Sequence, residues 1–113
     1  MAKWKLTVRN GSDVNRQGYD DLEEAVEASR LLAKGIVAEG PMDRVQSLRD
    51  FEPAQQIKAR IEIAGKGLLR PPTAGVDIHG DGSLQAFEGA VVRKPLPSGS
   101  VKEVFDSIRQ SLS

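Results

Sequence analysis

Four side chains between residues 77 and 88 are of types that bind metal ions or transfer protons. They are Asp77, His79, Asp81 and Glu88, and His79 is the only histidine of the chain. Carboxylate oxygens are the usual ligands of calcium, and a histidine beside a carboxylate can act as a general base. The spacing therefore makes this segment the first candidate for a metal-binding or hydrolytic site.

The same segment resembles the calcium-binding loop of EF-hand and dockerin proteins. Asp77, Asp81 and Glu88 stand where that loop has acidic ligands, whereas His79 replaces an Asp or Asn. Imidazole is a poor ligand for a hard cation, and the preceding Pro71-Pro72 excludes the helix that enters an EF-hand loop. We therefore predict a β-hairpin here, with no catalytic residue, no metal and no cofactor. A metal-binding or hydrolytic protein centred on the hairpin is kept as the second alternative.

A second group of side chains could form a basic binding surface. Residues 57–63 alternate apolar and charged side chains, which is typical of a strand with one buried and one exposed face. RNA-binding sheets stack bases on exposed aromatic rings, and one phenylalanine is predicted on the open face among basic neighbours. We interpret the group as a solvated charged face, with nucleic-acid binding as the first alternative. The candidate binding residues are Lys58, Arg60, Phe87, Arg93 and Lys94.

The strands that must position these residues start with a predicted hairpin. Apolar and polar residues alternate over residues 4–9, which predicts a half-buried strand. Asn10-Gly11 is typical of a tight hairpin turn. A three-residue loop centred on the glycine would place Val14 opposite Val8, on the same face of a return strand over residues 14–17.

Two amphipathic helices are predicted. The first begins at the N-cap Asp20, with Glu23 three residues later, and ends at Gly40-Pro41. The second follows a capping box formed by Ser100 and Glu103. Each helix has one apolar stripe, so both are expected to pack on one face of a sheet.

The remaining strands complete the predicted fold. They cover residues 57–63, 76–78 and 84–93, with a bulge near Gly89, while residues 44–51 fit a strand or an ordered loop. Links of hairpin length make the sheet mainly antiparallel. The sequence therefore predicts an α+β two-layer sandwich of four to five strands in the order β-β-α-β-β-β-α, with two helices on one face.

Composition sets further limits. The chain has 113 residues, 28% of them charged, no cysteine and a formal net charge of zero. These values fit one globular α+β domain over residues 1–113, and the lack of cysteine excludes thiol chemistry. No apolar run reaches the length of a signal peptide or a membrane span, so we expect a cytoplasmic protein with no membrane partner.

Residues 4–9, 51–56 and 75–83 together resemble small uncharacterised bacterial proteins of about this length. That resemblance implies no activity, site or ligand. Because no acid–base or nucleophile pair is evident, the sequence favours a non-enzymatic binding or assembly domain that acts through an open sheet face or edge. Such a surface would serve self-association as a homodimer or an unidentified protein partner.

Overall fold

The structure, a computed structural model, describes residues 3–39, 57–65, 71–89, 92–97 and 99–113. Within these ranges six strands form one sheet, and two helices pack on one of its faces. The elements in chain order are β1 (Trp4–Asn10), β2 (Asp13–Tyr19), α1 (Leu22–Ala38), β3 (Ile57–Gly65), β4 (Thr73–His79), β5 (Leu84–Glu88), β6 (Lys94–Pro95) and α2 (Val101–Leu112). Across the sheet the order is β2-β1-β3-β4-β5-β6, and every neighbouring pair is antiparallel.

The predicted α+β class and order of elements are confirmed. The sheet has six strands rather than four to five, because Lys94–Pro95 adds the short strand β6 beside β5. The predicted return strand over residues 84–93 is too long, since β5 ends at Glu88 and Gly89 follows with a φ of 96°. This conformation favours glycine and turns the chain out of the strand. The segment 44–51 lies outside the described residues.

The core lies between the sheet and the helices. Alternate residues of β1, β3 and β4 point toward the helices, because successive side chains of a strand face opposite sides. Burying one aliphatic side chain contributes about 1.5–3 kcal/mol, so these rows hold the helices on this face. The almost fully buried side chains include Leu6, Val26, Ile61, Ile63, Val76, Ile78, Val104, Phe105 and Ile108.

The hairpin between β1 and β2 has a two-residue loop rather than the predicted three-residue loop. Gly11 occupies the first loop position with a φ of 64°. Glycine at this position suits a type II′ turn, whose twist matches that of the flanking strands. Val14 therefore lies opposite Arg9 instead of Val8 and stands on the face away from the helices.

The predicted hairpin between residues 77 and 88 is confirmed. β4 and β5 pair antiparallel, and Gly82 supplies the positive φ of the turn, 91°. The backbone N–H of His79 donates to the carbonyl of Ser83 (2.9 Å). The carboxylate of Asp81 accepts from the N–H (2.9 Å) and the hydroxyl (2.6 Å) of Ser83. This acidic side chain therefore stabilises the turn that contains it.

Helix α1 forms where the sequence predicts it, but its N-cap is shifted by one residue. Asp21, not the predicted Asp20, is the N-cap, because its Oδ1 atom accepts the N–H of Glu24 (3.0 Å). The predicted stop signal Gly40-Pro41 lies outside the described residues. The apolar stripe faces the sheet as expected.

Helix α2 begins with the predicted capping box. The Ser100 hydroxyl accepts the N–H of Glu103 (3.2 Å), and the Glu103 carboxylate accepts the N–H of Ser100 (3.3 Å). Two backbone donors that a helix terminus leaves unpaired are thus satisfied. Neither of the two helices that the structure describes has the length and apolarity to cross a membrane.

Candidate binding surface

The sheet face opposite the helices carries a cluster built around Phe87. This residue lies on β5 directly opposite Gly75 of β4, and only 4% of its surface is exposed. A Cβ atom on Gly75 would be 2.8 Å from the Cζ atom of the ring, so the ring lies across the glycine. Because Gly75 has no side chain, the ring of Phe87 fills the space beside it and is buried although no helix covers this face of the sheet.

Two arginines cover this ring. The guanidinium carbons of Arg60 and Arg93 lie 5.6 Å and 5.5 Å from the centroid of the Phe87 ring. These distances are within the range of a cation–π interaction. Phe87 thus stands on the open face among basic residues, but its ring is not free to stack on a ligand.

Each arginine is also paired with a carboxylate. Arg60 Nε lies 2.5 Å from Asp77 Oδ1 and its Nη2 atom 3.2 Å from Oδ2, while Arg93 Nη2 lies 3.3 Å from Glu62 Oε1. The hydrogen bond to Asp77 raises the pKa of Arg60, although desolvation opposes the shift. The group of Arg60, Glu62, Asp77, Phe87 and Arg93, here called the Phe87 cluster, therefore balances two positive against two negative charges.

The other predicted binding residues, Lys58 and Lys94, lie elsewhere. The register of β3 against β4 shifts at Lys58, and such a bulge redirects a side chain. Its Nζ atom donates to the carbonyl of Ile36 at the C-terminal end of α1 (3.0 Å), so the prediction that Lys58 shares the open face with Arg60 is wrong. Lys94 pairs with Glu88 on the side of the sheet that faces the helices.

Three of the four metal-ligand candidates are not gathered at one point. Asp77 is paired with Arg60 on the open face, whereas Glu88 accepts a hydrogen bond from Ser111 of α2 (2.7 Å) on the helix side. Asp81 is held in the turn between the two strands. Across the described ranges, no group of three or more His, Cys, Asp or Glu side chains is placed to hold a metal ion.

His79, the fourth candidate, stands at the end of β4 beside Ile57 of β3. Its Nδ1 atom is buried and has no hydrogen-bond partner among the described residues. A catalytic histidine needs an orienting group at this position, and the carboxylate of Asp77 is engaged by Arg60 instead. The described part of the chain therefore does not supply the second member of a catalytic pair.

The sequence favours an edge of the sheet as a binding surface without indicating which strand forms it, and among the described strands the longer free edge is β2. Six of its seven residues are exposed, and no described strand lies beyond it. Alternate backbone N–H and C=O groups of such an edge point out of the sheet. The opposite edge, β6, has two residues, and one of them is Pro95, which has no N–H. The signal in the sequence is that polar residues occupy both faces of the β2 segment.

A groove of about 330 Å³ runs between β2 and α1 on the helix side of the sheet. Helix α1 packs against β1, β2 and β3, and the groove lies between Leu32 and the strands β1 and β2. Its floor is formed by Leu6 and Val8, which are only 2% and 8% exposed, and Leu32 of α1, which is 42% exposed, stands on its wall. The lining residues are Leu6, Val8, Asn15, Arg16, Gln17 and Leu32.

Basic side chains stand on the other side of the same edge. Lys5 and Arg9 of β1 and Arg16 of β2 are exposed on the face away from the helices. None of the three forms an ion pair with another residue in the described ranges, in contrast to Arg60 and Arg93. The open face is therefore positively charged at the β2 edge and balanced at the Phe87 cluster.

Comparison with known proteins assigns no family to this chain. No protein-family model, no curated protein and no solved structure matches it.

Proposed function

We propose that the chain is a protein-binding domain that takes up an extended segment of another chain along the outer edge of β2. The observation that carries this proposal is the contrast between the two edges, since β2 offers seven residues and β6 only two. Natural proteins usually shorten an unused edge or place Pro or charged residues on it, whereas β2 has seven residues and no Pro, with Asp13 and Arg16 as its two charged residues. Addition of a strand to an open edge is a common mode of peptide recognition.

The groove beside α1 supports the same function. A strand that pairs with β2 presents every second side chain to the helix side of the sheet. Leu32 on the wall of the groove, 42% exposed, offers apolar surface to those side chains, while Leu6 and Val8 beneath it are buried. Backbone hydrogen bonds would then supply affinity, and the groove would supply selectivity.

Self-association is one form of this function, because β2 of a second copy could pair with the edge across a twofold axis. Nucleic-acid binding has less support. Single-stranded nucleic acids stack their bases on exposed rings, whereas Phe87 and Phe105 are buried and Trp4 and Tyr19 pack against the core. An enzymatic or metal-dependent role has no converging group of side chains in the described part of the chain to support it.

Hydrogen exchange at β2 tests the proposal. The full chain is used to select binders from a random library of displayed seven-residue peptides, the length of β2. A selected peptide is then added to the isotope-labelled protein and amide exchange is followed by NMR. We expect alternate amides of β2 to exchange at least about tenfold more slowly in the complex, because the added strand accepts their hydrogen bonds.

Two substitutions of the same kind form a matched pair of variants. Leu32→Glu places a charge on the wall of the groove, whereas Val92→Glu changes a side chain that is 74% exposed outside it. We expect Leu32→Glu to weaken binding of the selected peptide at least about tenfold, and Val92→Glu to leave it unchanged. A peptide that binds without slowing exchange in β2, or equal binding by both variants, would contradict the proposal.

A further inference from the structure

The charges beside β2 indicate which kind of segment its edge accepts. Lys5, Arg9 and Arg16 face the open side of the sheet and form no ion pair within the described ranges. The acidic residue of β2 itself, Asp13, stands at the start of the strand on the other side. The β2 edge therefore has basic side chains on the open face of the sheet and the groove beside Leu32 on the helix face.

We infer, on the basis of the proposed function, that β2 binds an extended segment in which acidic and apolar residues alternate. Every second residue of an added strand lies on the open face beside Val14, Arg16 and Gly18 of β2, with Lys5 and Arg9 of β1 one strand further in. The residues between them lie on the side of the groove. Acidic side chains in the first set meet the guanidinium groups of Arg16 and Arg9, which form no ion pair with a described residue. Apolar side chains in the second set meet the exposed Leu32 on the wall of the groove.

The alternation also sets the register of the bound segment. A shift by one residue moves every side chain of a strand to the other face. Such a shift would place carboxylates beside Leu32 and Asp13 on the helix side, and it would place apolar side chains beside Arg16. Both changes are unfavourable, so one register is preferred.

A second copy of β2 is a poorer occupant of this edge. When two β2 strands overlap over all seven residues about a twofold axis, the central residue Arg16 lies opposite its own copy, and like charges directly opposite destabilise a sheet. On the groove side β2 presents Asp13, Asn15 and Gln17, which are polar. The edge is therefore better suited to a segment of different sequence.

A designed peptide tests this inference. It has seven residues that alternate Glu and Leu, with Glu at both ends, and it carries a fluorophore for anisotropy measurements. The controls are a peptide with Lys in place of Glu and a peptide of the same composition in scrambled order. We expect the alternating Glu–Leu peptide to bind and to slow amide exchange in β2, and each control to bind at least about tenfold more weakly.

Charge reversals on the protein provide the second arm. Arg16→Glu changes the centre of the edge, and Lys102→Glu makes the same reversal on α2, where the side chain is 87% exposed. We expect Arg16→Glu to weaken binding of the Glu–Leu peptide at least about tenfold and Lys102→Glu to have no effect. Added salt is expected to weaken binding to the parent protein, since the contacts are exposed.

The outcomes separate the inference from the proposed function. If library-selected peptides slow exchange in β2 but the Lys–Leu peptide binds as well as the Glu–Leu peptide, the inference is wrong and strand binding stands. If neither selected nor designed peptides slow exchange in β2, both are wrong.

Binding of a single-stranded oligonucleotide that depends on Arg16 and leaves amide exchange in β2 unchanged would overturn the inference in favour of a polyanion. Slow exchange in β2 without peptide, with a dimer in sedimentation, would overturn it in favour of a second copy.

Discussion

Gly75 leaves room for two neighbours at once. A Cβ atom at this position would lie 2.2 Å from the carbonyl oxygen of Ile61 and 2.8 Å from the Cζ atom of Phe87. The first neighbour is backbone and cannot rotate away, and the second is held under Arg60 and Arg93. The close approach of the β3 backbone and of the Phe87 ring to β4 therefore depends on the absence of a side chain at Gly75.

Gly75→Ala is expected to destabilise the protein by about 2–3 kcal/mol or more, because both neighbours must move to admit the methyl group. Urea unfolding followed by the fluorescence of Trp4 measures the loss. Gly35→Ala is the control, since no atom lies within 4 Å of its added Cβ and it stands in a helix. That substitution is expected to stabilise the protein by about 0.5–1 kcal/mol. Equal effects of the two substitutions would show that the space at Gly75 is not limiting.

The carboxyl group of Asp81 gives a prediction about pH. The hydroxyl and the N–H of Ser83 donate to its charged form and hold the pKa of Asp81 below its ordinary value. Since the pKa is lower in the folded state, this contribution to stability is present above about pH 4 and is lost as the pH falls through the folded-state value. Ser83→Ala is expected to raise the pKa of Asp81, as followed by NMR titration of its carboxyl carbon. Ser12→Ala, in the other hairpin turn, should leave that pKa unchanged, and an unchanged pKa in Ser83→Ala would contradict the assignment.

At the scale of single residues the sequence predicts which face Phe87 occupies but not that its ring is covered. Alternation along a strand is enough to place a residue on one face. Covering the ring requires that Arg60 lies opposite Asp77, that Gly75 lies opposite Phe87, and that Arg93 contacts the ring from beyond β5. These are relations between strands, and a single sequence does not contain them.

The N-terminus of α2 offers the clearest test at the scale of an element. Ser100→Ala removes the hydroxyl that accepts the N–H of Glu103 and is expected to cost about 1 kcal/mol, or about 4 °C in Tm. Glu103→Gln is the matched variant, because an amide oxygen can still accept the N–H of Ser100. Thermal unfolding by circular dichroism should therefore show a larger loss for Ser100→Ala than for Glu103→Gln. The reverse order would mean that the charge at the helix terminus matters more than the cap.

The sequence predicts elements with a strong apolar periodicity well, but it does not predict the register between strands. The stripes of both helices and the alternation of β1 and β3 identify these elements directly. Loops of two and of three residues both agree with Asn10-Gly11, and they put Val14 on opposite faces. The bulge at Lys58 has no glycine or proline to mark it, so the sequence predicts the Lys58 side chain on the open face.

For the whole molecule, the described sheet is slightly wider than the helix layer that covers one of its faces. Six strands spaced about 4.8 Å apart span about 24 Å between the outer strands, whereas two helices about 10 Å apart cover about 20 Å. Helix α1 contacts β1, β2 and β3, and α2 contacts β4 and β5, so the helix layer reaches from one outer strand to β5. The groove at Leu32 lies where α1 meets the outer strand β2.

The candidate site could be predicted from the sequence only in part. The basic charge of the first eighteen residues is evident in the composition, and Lys5, Arg9 and Arg16 contribute most of it. That these residues border a free edge depends on which strand lies beside β2, and hairpin links alone do not determine the strand order. The sequence does not predict the short strand β6 either, because two residues are too few to show a periodicity.

The difference between β2 and β6 has a consequence for the stoichiometry of any complex. A sheet that can be extended at both edges can add molecules without limit, which is the route to fibres. Among the described strands, Pro95 and the two-residue length of β6 leave that edge with almost no free donors, so β2 is the edge at which the sheet can be extended. If β2 takes up a strand as we propose, each molecule accepts one strand, and the complex is closed after a single addition.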